Sequence, residues 1–171
     1  MRIWIISGYS GSGKSTLVNM LRGKMSVLSH GQILRELAHE NGYGNALDYI
    51  ENTPTDLFVR TYNDITIEKI ESTIEAQKSF VIDGLVSYGV LSYLRENYRG
   101  KAKVIFIDVE ESERERRLIE RDGFINEKRE RSKYVLGIDD VRRSADYIID
   151  GSMEDDTIFN KVLHIIDDND L

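Results

Sequence analysis

The stretch GYSGSGKS, residues 8–15, fits the pattern G-x-x-x-x-G-K-[ST] at every defined position. It follows an apolar segment, residues 2–7, that predicts a buried strand, and it leads into residues 14–21, which predict a helix. In this setting the glycines let successive backbone N–H groups surround phosphate oxygens, and the helix N-terminus adds partial positive charge. The stretch therefore predicts a binding site for a nucleoside triphosphate. We call residues 8–15 the phosphate loop.

Two side chains of the phosphate loop have specific expected roles. We expect Lys14 to reach the outer phosphates and the Ser15 hydroxyl to ligate Mg²⁺. A glycine- and serine-rich turn with a chance lysine is the alternative, and the flanking strand and helix argue against it. The other expected nucleotide-binding residues here are Gly8, Ser10, Gly11, Ser12, Gly13 and Thr16.

Composition narrows the class of protein. The chain has 171 residues, of which 40% are hydrophobic and 31% charged, as expected for one folded domain without a membrane span. A net charge of −7 argues against general binding to nucleic acids or anionic membranes. There is no cysteine, which excludes disulfides, thiolate catalysis and cysteine-based metal sites. Because we find no signal peptide and no apolar run of about 18 residues, we expect a cytoplasmic protein.

Short apolar segments alternate with helical patterns along the chain. This order predicts an α/β fold, a doubly wound parallel five-stranded sheet with helices on both faces. Besides the first strand, we expect strands at residues 25–29, 80–83, 103–108 and 147–150. Besides the first helix, we expect helices from Pro54 to about Gln77 and over residues 85–97, 110–121 and 153–166.

Two polar stretches predict neither a strand nor a packed helix. Residues 41–55 begin with glycine and asparagine, and residues 122–134 are strongly charged. Ligands of α/β sheets bind at the carboxyl ends of the strands, where such insertions can cover them. We therefore expect one domain with a core over about 1–30, 79–121 and 137–171, an acceptor-binding insertion at 31–78, and a lid at 122–136.

Asp83 ends an apolar segment and precedes Gly84. An aspartate at the end of a strand beside a phosphate loop commonly holds Mg²⁺. Asp-Gly is also a frequent turn, so the phosphate loop is what favours the metal role. Asp108 and Asp150 end strands as well, and we expect Asp108 to cap the helix that follows it.

Three arginines share one face of the predicted helix over residues 110–121. At about 100° per residue, Arg114, Arg117 and Arg121 point in similar directions. A polyphosphate would offset their mutual repulsion. The alternative is a solvated helix with pairs of opposite charge, such as Glu113 and Arg117.

Several segments resemble the P-loop nucleoside and nucleotide kinase superfamily, in particular adenylate-kinase-like and dephospho-CoA-kinase-like small kinases. Residues 29–36, SHGQILRE, are similar to the S-T-G-D-x-L-R segment of adenylate kinases, and Asp83-Gly84 resembles their D-G. Residues 136–152, LGIDDVRRSADYIIDGS, are similar to the L-G-I-x-x-V and A-D-x-x-I segments of these small kinases. The resemblance spans nearly the whole chain and is loosest in the middle.

The resemblance implies phosphoryl transfer from ATP, with Mg²⁺, to a small acceptor such as a nucleoside or deoxynucleoside monophosphate. It implies that Arg117, Arg121 and Arg131 close over the transferring group when the lid folds down. It places Gly151 beside the donor base, and Ser29, His30, Arg35 and Asp83 at the acceptor.

The chain also departs from this family. Gln32 replaces the aspartate of S-T-G-D, and no arginine follows Gly84 before Arg95. Losing a bidentate arginine removes a contact of about 1.5–3 kcal/mol. If the acceptor group is a hydroxyl, Asp83 or Glu36 is the candidate base.

Other classes of function stay open at this point. A dephospho-CoA-kinase-like enzyme and an ATP-binding regulatory protein without transferase activity both fit the motifs. A GTPase would need N-K-x-D and D-x-x-G motifs, which we do not find. A polynucleotide kinase would need a basic surface, which the acidic charge disfavours.

Overall fold

The computed structural model describes residues 1–76 and 79–170. These residues form a five-stranded sheet of order β2-β3-β1-β4-β5 in which all paired strands are parallel. The predicted doubly wound α/β fold is therefore confirmed. The strands are β1 Ile3–Ser7, β2 Val27–Ser29, β3 Phe80–Asp83, β4 Ala102–Asp108 and β5 Tyr147–Asp150.

The helices include every one predicted from the sequence. The predicted end of the long helix at Gln77 lies outside the described residues, and α5 begins three residues later than predicted because Ser87 caps it at the Val90 N–H. The helices are α1 Lys14–Leu21, α2 His30–Glu40, α3 Ala46–Asn52, α4 Thr55–Ala76, α5 Tyr88–Asn97, α6 Glu111–Asp122, α7 Glu127–Leu136, α8 Ile138–Arg143 and α9 Asp155–Asp170. Within the described residues, none has the length and apolar character needed to span a bilayer.

The prediction that the two polar stretches lack packed helix is wrong. Residues 41–55 contain α3, and residues 122–134 contain most of α7. Each helix starts at an asparagine: Asn45 accepts from the Asp48 N–H and Asn126 from the Arg129 N–H, both at 3.0 Å. Asparagine indicates turns in a sequence, but as an N-cap it satisfies a backbone donor that a helix start leaves free.

Both faces of the sheet are covered by helices, which divides the core into two clusters. Ile3 and Ile5 of β1 pack toward α2, α4, α5 and α8, whereas Trp4 and Ile6 pack toward α1 and α9. All five residues of β1 are buried. The central strand is thus held from both sides, which fixes the position of the phosphate loop at its carboxyl end.

Strand register brings the candidate residues to one edge of the sheet. Asp83 at the end of β3 pairs with Ile6 of β1 and with Ser29 of β2. On the other side, Asp108 of β4 pairs with Asp150 of β5. The acidic strand ends and the phosphate loop therefore lie along one edge, as expected for a parallel sheet.

Burial on β1 gives a direct test of this architecture. Ile5 is 0% exposed in the central strand, whereas Ile148 of the edge strand β5 is 56% exposed. We expect Ile5→Ala to lower the free energy of unfolding by about 2–5 kcal/mol, because it leaves a cavity in the core. Ile148→Ala, the matched control, should change it by less than about 0.5 kcal/mol. Urea unfolding measures both, and similar losses in the two variants would contradict the assignment of β1 to the core.

Candidate functional site

The phosphate loop packs against β4 and α6 at distances that exclude side chains. A Cβ at Gly11 would lie 2.6 Å from the backbone oxygen of Arg114, and one at Gly8 would lie 2.7 Å from that of Ile107. Gly11 and Gly13 also have left-handed φ angles of 79° and 85°. Glycine is therefore required here for both conformation and space.

One side chain within the loop has an unused polar group. Ser12 is buried, and its hydroxyl has no hydrogen-bond partner among the described residues. Buried polar groups usually have partners, so a hydroxyl of this kind indicates a place where a ligand group is received. The loop therefore fits a polar ligand such as a polyphosphate.

Lys14 lies at the start of α1 and reaches the end of β3. Its Cε is 3.9 Å from the position that a Cβ would take at Gly84. Loss of hydration lowers the pKa of the Lys14 ammonium, and the nearby Asp83 carboxylate opposes this shift. Arg129 and Arg121 lower the pKa further. Lys14 of α1 thus lies near enough to Arg121 of α6 and Arg129 of α7 for their charges to affect it.

The donors at this edge suit Mg²⁺ held together with phosphates. Ser15 is exposed in the first turn of α1, and Asp83 ends β3 in a partly buried position. Among the described residues no group of three or more histidines or acids could hold a metal alone. Mg²⁺ is commonly held by one or two protein oxygens plus substrate phosphates and water. Ser15 and Asp83 match that requirement.

Helix α7 of the lid lies over the phosphate loop. The Ser10 hydroxyl donates to the Glu130 carboxylate and accepts from the Lys133 ammonium, and Lys133 and Glu130 are 3.3 Å apart. On its other side, α7 joins α3 through Lys128 and Glu51 at 2.5 Å. Helix α7, in the predicted lid, therefore bridges the loop and the predicted acceptor-binding insertion.

Lys133 shares the environment of Lys14. Burial lowers the pKa of its ammonium to about 8, Lys14 and Arg129 add to the shift, and Glu130 opposes it. Lys133 and Glu130 are not among the site residues predicted from the sequence. Their i,i+3 spacing, which puts both on one face of a helix, is the signal that could have indicated them.

Arg131, which the sequence predicts as a site residue, is exposed on α7. It lines a cavity of about 320 Å³ between α6 and α7, together with Leu118 and Ile125. Its side chain therefore borders the space between the two helices, and its role in closing over the transferring group stays a prediction.

Arg117 links the phosphate loop to the turn after β5. Its Nη1 donates to the Gly151 oxygen at 3.1 Å and to the Gly11 oxygen at 3.4 Å. Glu113 holds its Nε at 2.8 Å. The structure thus brings Arg117, predicted to close over the transferring group, into direct contact with Gly151, predicted to lie beside the donor base.

The other two arginines of this face of α6 differ in environment. Arg114 is buried, its guanidinium lies 4.6 Å from the centre of the Tyr9 ring, and its Nε has no partner among the described residues. Arg121 is exposed and forms an ion pair with Asp122 at 2.6 Å. The common face predicted for the three arginines therefore runs from the interior to the solvent.

Two of the predicted acceptor residues lie at the start of α2. Ser29 caps the helix and accepts from the Gln32 N–H at 3.3 Å. His30 is buried, and loss of hydration lowers its pKa to about 3, so its imidazole is neutral at physiological pH. Its Nε2 has no partner among the described residues, and its ring lies 4.6 Å from that of Tyr62.

The third, Arg35, lies one turn further along α2. Its Nη1 is 3.6 Å from the position that a Cβ would take at Gly31. Burial raises the pKa of the Tyr62 hydroxyl and the positive charge of Arg35 opposes that shift. The same hydroxyl donates to the His30 backbone oxygen at 2.6 Å. Arg35 and His30 therefore belong to one polar cluster at the start of α2.

Glu36 and Gln32 form a local network on α2. Gln32 Nε2 donates to Glu36 at 2.9 Å, and Lys69 of α4 donates to it at 2.8 Å. The Lys69 and Gln32 hydrogen bonds hold the pKa of Glu36 below its usual range. A carboxylate engaged in this way is a weak base, so Asp83 is the better placed of the two candidates.

Two other charged residues have structural partners. The prediction that Asp108 caps α6 is wrong: its carboxylate accepts from Arg142 Nη2 at 2.6 Å, and the N-cap of α6 is Glu110. This partner comes from α8, about thirty residues away, so local sequence did not indicate it. Arg95 pairs with Asp146 at 3.2 Å, before β5.

Comparison with known proteins supports the fold. The profile of a protein family described as AAA domain matches residues 5–135. No curated protein matches the sequence significantly. Among solved structures, a sugar kinase from a Janibacter species is 15% identical with a TM-score of 0.69, over 98% of this chain and 95% of that chain. A shikimate kinase from Bacteroides thetaiotaomicron is 13% identical with a TM-score of 0.67, over 97% and 98% of the two chains.

A gluconokinase from Sinorhizobium meliloti gives the same result. It is 16% identical with a TM-score of 0.61, over 95% of this chain and 90% of that chain. Identities this low show a shared fold alone. The similarity therefore covers the full architecture, including the elements around the phosphate loop.

The spacing at Gly11 predicts a selective loss of ligand binding. Gly11→Ala places a methyl group against the backbone of Arg114, 2.6 Å away, and we expect at least tenfold weaker binding of Mg·ATP by calorimetry. Gly42→Ala is the matched control, because Gly42 has a φ of 81° but no atom within 4 Å of the added Cβ. Both variants carry the strain of a left-handed alanine, about 1–2 kcal/mol. Equal ATP affinity in the two variants would contradict the tight packing of the loop.

Proposed function

This chain belongs to the AAA domain family and has the fold of the P-loop small-molecule kinases, and we propose that it transfers the γ-phosphoryl group of ATP to a small acceptor. The observation that carries the proposal is the convergence of Lys14, Lys133, Arg121 and Arg129 at the phosphate loop. Burial and neighbouring cations lower the pKa values of Lys14 and Lys133, and a bound polyanion would offset this concentration of positive charge.

The donor side of the proposed site lies over β1, β4 and β5. The backbone from Gly8 to Lys14 wraps the β-phosphate of ATP, and the N-terminus of α1 adds positive charge. Gly151, whose oxygen accepts from Arg117, would lie beside the donor base. Ser15 and Asp83 would hold Mg²⁺, which supplies neutralisation of phosphate charge.

Phosphoryl transfer needs alignment and charge stabilisation more than covalent chemistry. Lys14 would follow the transferring group, and Arg117, Arg121 and Arg131 of α6 and the lid would stabilise it, with Lys133 added from the structure. The lid, tied to Ser10 and to Glu51, would exclude water and limit hydrolysis of ATP.

The acceptor side lies over β2 and β3, on the opposite side of β1. We propose a nucleoside or deoxynucleoside monophosphate, whose phosphate Arg35 would bind. Ser29 and the neutral His30 at the start of α2 would line the pocket. Donor and acceptor would then lie on either side of Lys14, as in-line transfer requires.

A hydroxyl acceptor, such as that of dephospho-CoA, is the second candidate. It is favoured by the absence of an arginine between Gly84 and Arg95, and by the position of Asp83 beside Lys14. Asp83 would then accept the hydroxyl proton, since Glu36 is held by Lys69. An ATP-binding regulatory protein without transferase activity is the remaining alternative.

An acceptor panel tests these alternatives. We expect ADP release from Mg·ATP to rise strongly with one class among ribo- and deoxynucleoside monophosphates, nucleosides and dephospho-CoA. Lys14→Ala should lower kcat by about 10²–10³-fold, because it removes a cation that acts on the transferring group. Lys24→Ala, at an exposed lysine after α1, is the matched control and should leave the rate unchanged.

The outcomes separate the three candidates. Stimulation by monophosphates supports the phosphate acceptor, and stimulation by nucleosides or dephospho-CoA supports the hydroxyl acceptor. ATP binding without stimulation by any acceptor contradicts transferase activity and supports the regulatory alternative.

The lowered pKa of Lys133 predicts a pH dependence of ATP binding. Polyphosphate binding favours the ammonium form, which is present below a pKa of about 8 and is lost as the pH rises. We expect the affinity for Mg·ATP to be constant below pH 7 and to fall above pH 8, by up to about tenfold per pH unit. Calorimetric titrations between pH 6.5 and 9.5, roughly the range that brackets this pKa, measure the effect.

Lys133→Arg provides the control, because arginine keeps its charge above pH 12 or so. Its profile should be shallower than that of the wild type, because the charge at position 133 no longer changes over this pH range. Identical profiles for the two proteins would contradict a role of Lys133 in nucleotide binding.

A further inference from the structure

Glu130 is a carboxylate among the cations of the proposed transfer site. It accepts from the Ser10 hydroxyl of the phosphate loop and lies 3.3 Å from Lys133. Its side chain is only 19% exposed. An acid in this position is unexpected, because repulsion from the phosphates of ATP would oppose it.

The charge of Glu130 acts on the same residues that would hold the transferring phosphoryl group. This charge opposes the lowering of the pKa values of Lys14 in α1 and Lys133 in α7. It also contributes to the raised pKa of Arg121 in α6. These cations would otherwise repel one another beneath the lid. The carboxylate therefore offsets their charge and lets α7 rest on the loop.

From this arrangement we propose that Glu130 competes with the γ-phosphate of ATP and thereby sets the preference of the site between ATP and ADP. A γ-phosphate held by Lys14, Lys133 and Arg121 takes the electrostatic place of the carboxylate, so Glu130 must move away when ATP binds. The proposal rests on the proposed function, because it assigns the binding of ATP to this loop.

ADP would displace Glu130 less than ATP, because it lacks the γ-phosphate. Its β-phosphate is the group that the loop backbone and the α1 N-terminus surround, and these donors do not involve the carboxylate. ADP thus leaves Glu130 with its cations, whereas ATP displaces it. Glu130 is therefore a specificity-determining residue that weakens the binding of ATP relative to ADP.

Removing the charge of Glu130 tests the proposal by binding alone. Calorimetry would compare a non-hydrolysable ATP analogue with ADP, each with Mg²⁺, on the wild type and on Glu130→Gln. We expect the variant to bind the analogue about fivefold to tenfold more tightly, because one like charge near the γ-phosphate is gone. ADP binding should change by at most about twofold.

Glu127→Gln is the matched control. Glu127 lies one turn earlier on α7, is exposed, and carries the same charge. It borders the cavity between α6 and α7. Its variant should leave the affinities for both nucleotides within about twofold, which separates the position of Glu130 from the total charge of the lid.

Three results would overturn the proposal. An equal change in analogue and ADP affinity would show that Glu130 does not sense the γ-phosphate. Weaker analogue binding would show that the carboxylate supports ATP, for instance through the metal. Failure of the wild type to bind either nucleotide would overturn the proposed function as well, so the two failures are distinguishable.

Discussion

The close approach of Gly11 to the backbone of α6 is the constraint on which the site depends. With 2.6 Å between the Arg114 oxygen and the place of a Cβ, the phosphate loop and α6 behave as one packed unit. This contact also brings Arg117 within reach of the loop carbonyls and of Gly151. Because the lid follows α6 directly, its starting position is set by the same contact.

The order of the strands places the predicted donor residues and the predicted acceptor residues on opposite sides of this unit. The phosphate loop follows the central strand β1, with the donor-side contacts of Arg117 and Gly151 over β4 and β5. His30 and Arg35 lie over β2 and β3 on the other side. Helix α7 connects the two sides through the contacts of Lys133 with Ser10 and of Lys128 with Glu51, so in the proposed site a ligand in the loop would act electrostatically on α7.

An acidic protein can still build a basic site, because charge is arranged locally. The net charge is −7, yet lysines and arginines from three helices meet at the loop. Asp83 and Glu130 offset part of that charge: both oppose the lowering of the Lys14 pKa, and Glu130 also opposes that of the Lys133 pKa. The net charge argues against a general polyanion-binding surface but does not exclude this local cluster of cations.

Sequence alone determined the phosphate loop, the five parallel strands and the position of Asp83, because glycine spacing and apolar runs are local signals. It failed at residues 41–55 and 122–134, where capping asparagines and tertiary packing support helices whose polar sequences do not indicate them. Only the tertiary structure decided the contacts of Lys133 and Glu130 with the loop, since these depend on where a distant helix folds back. These charged contacts form because the chain folds back on itself, and the spacing of residues along the sequence does not indicate them.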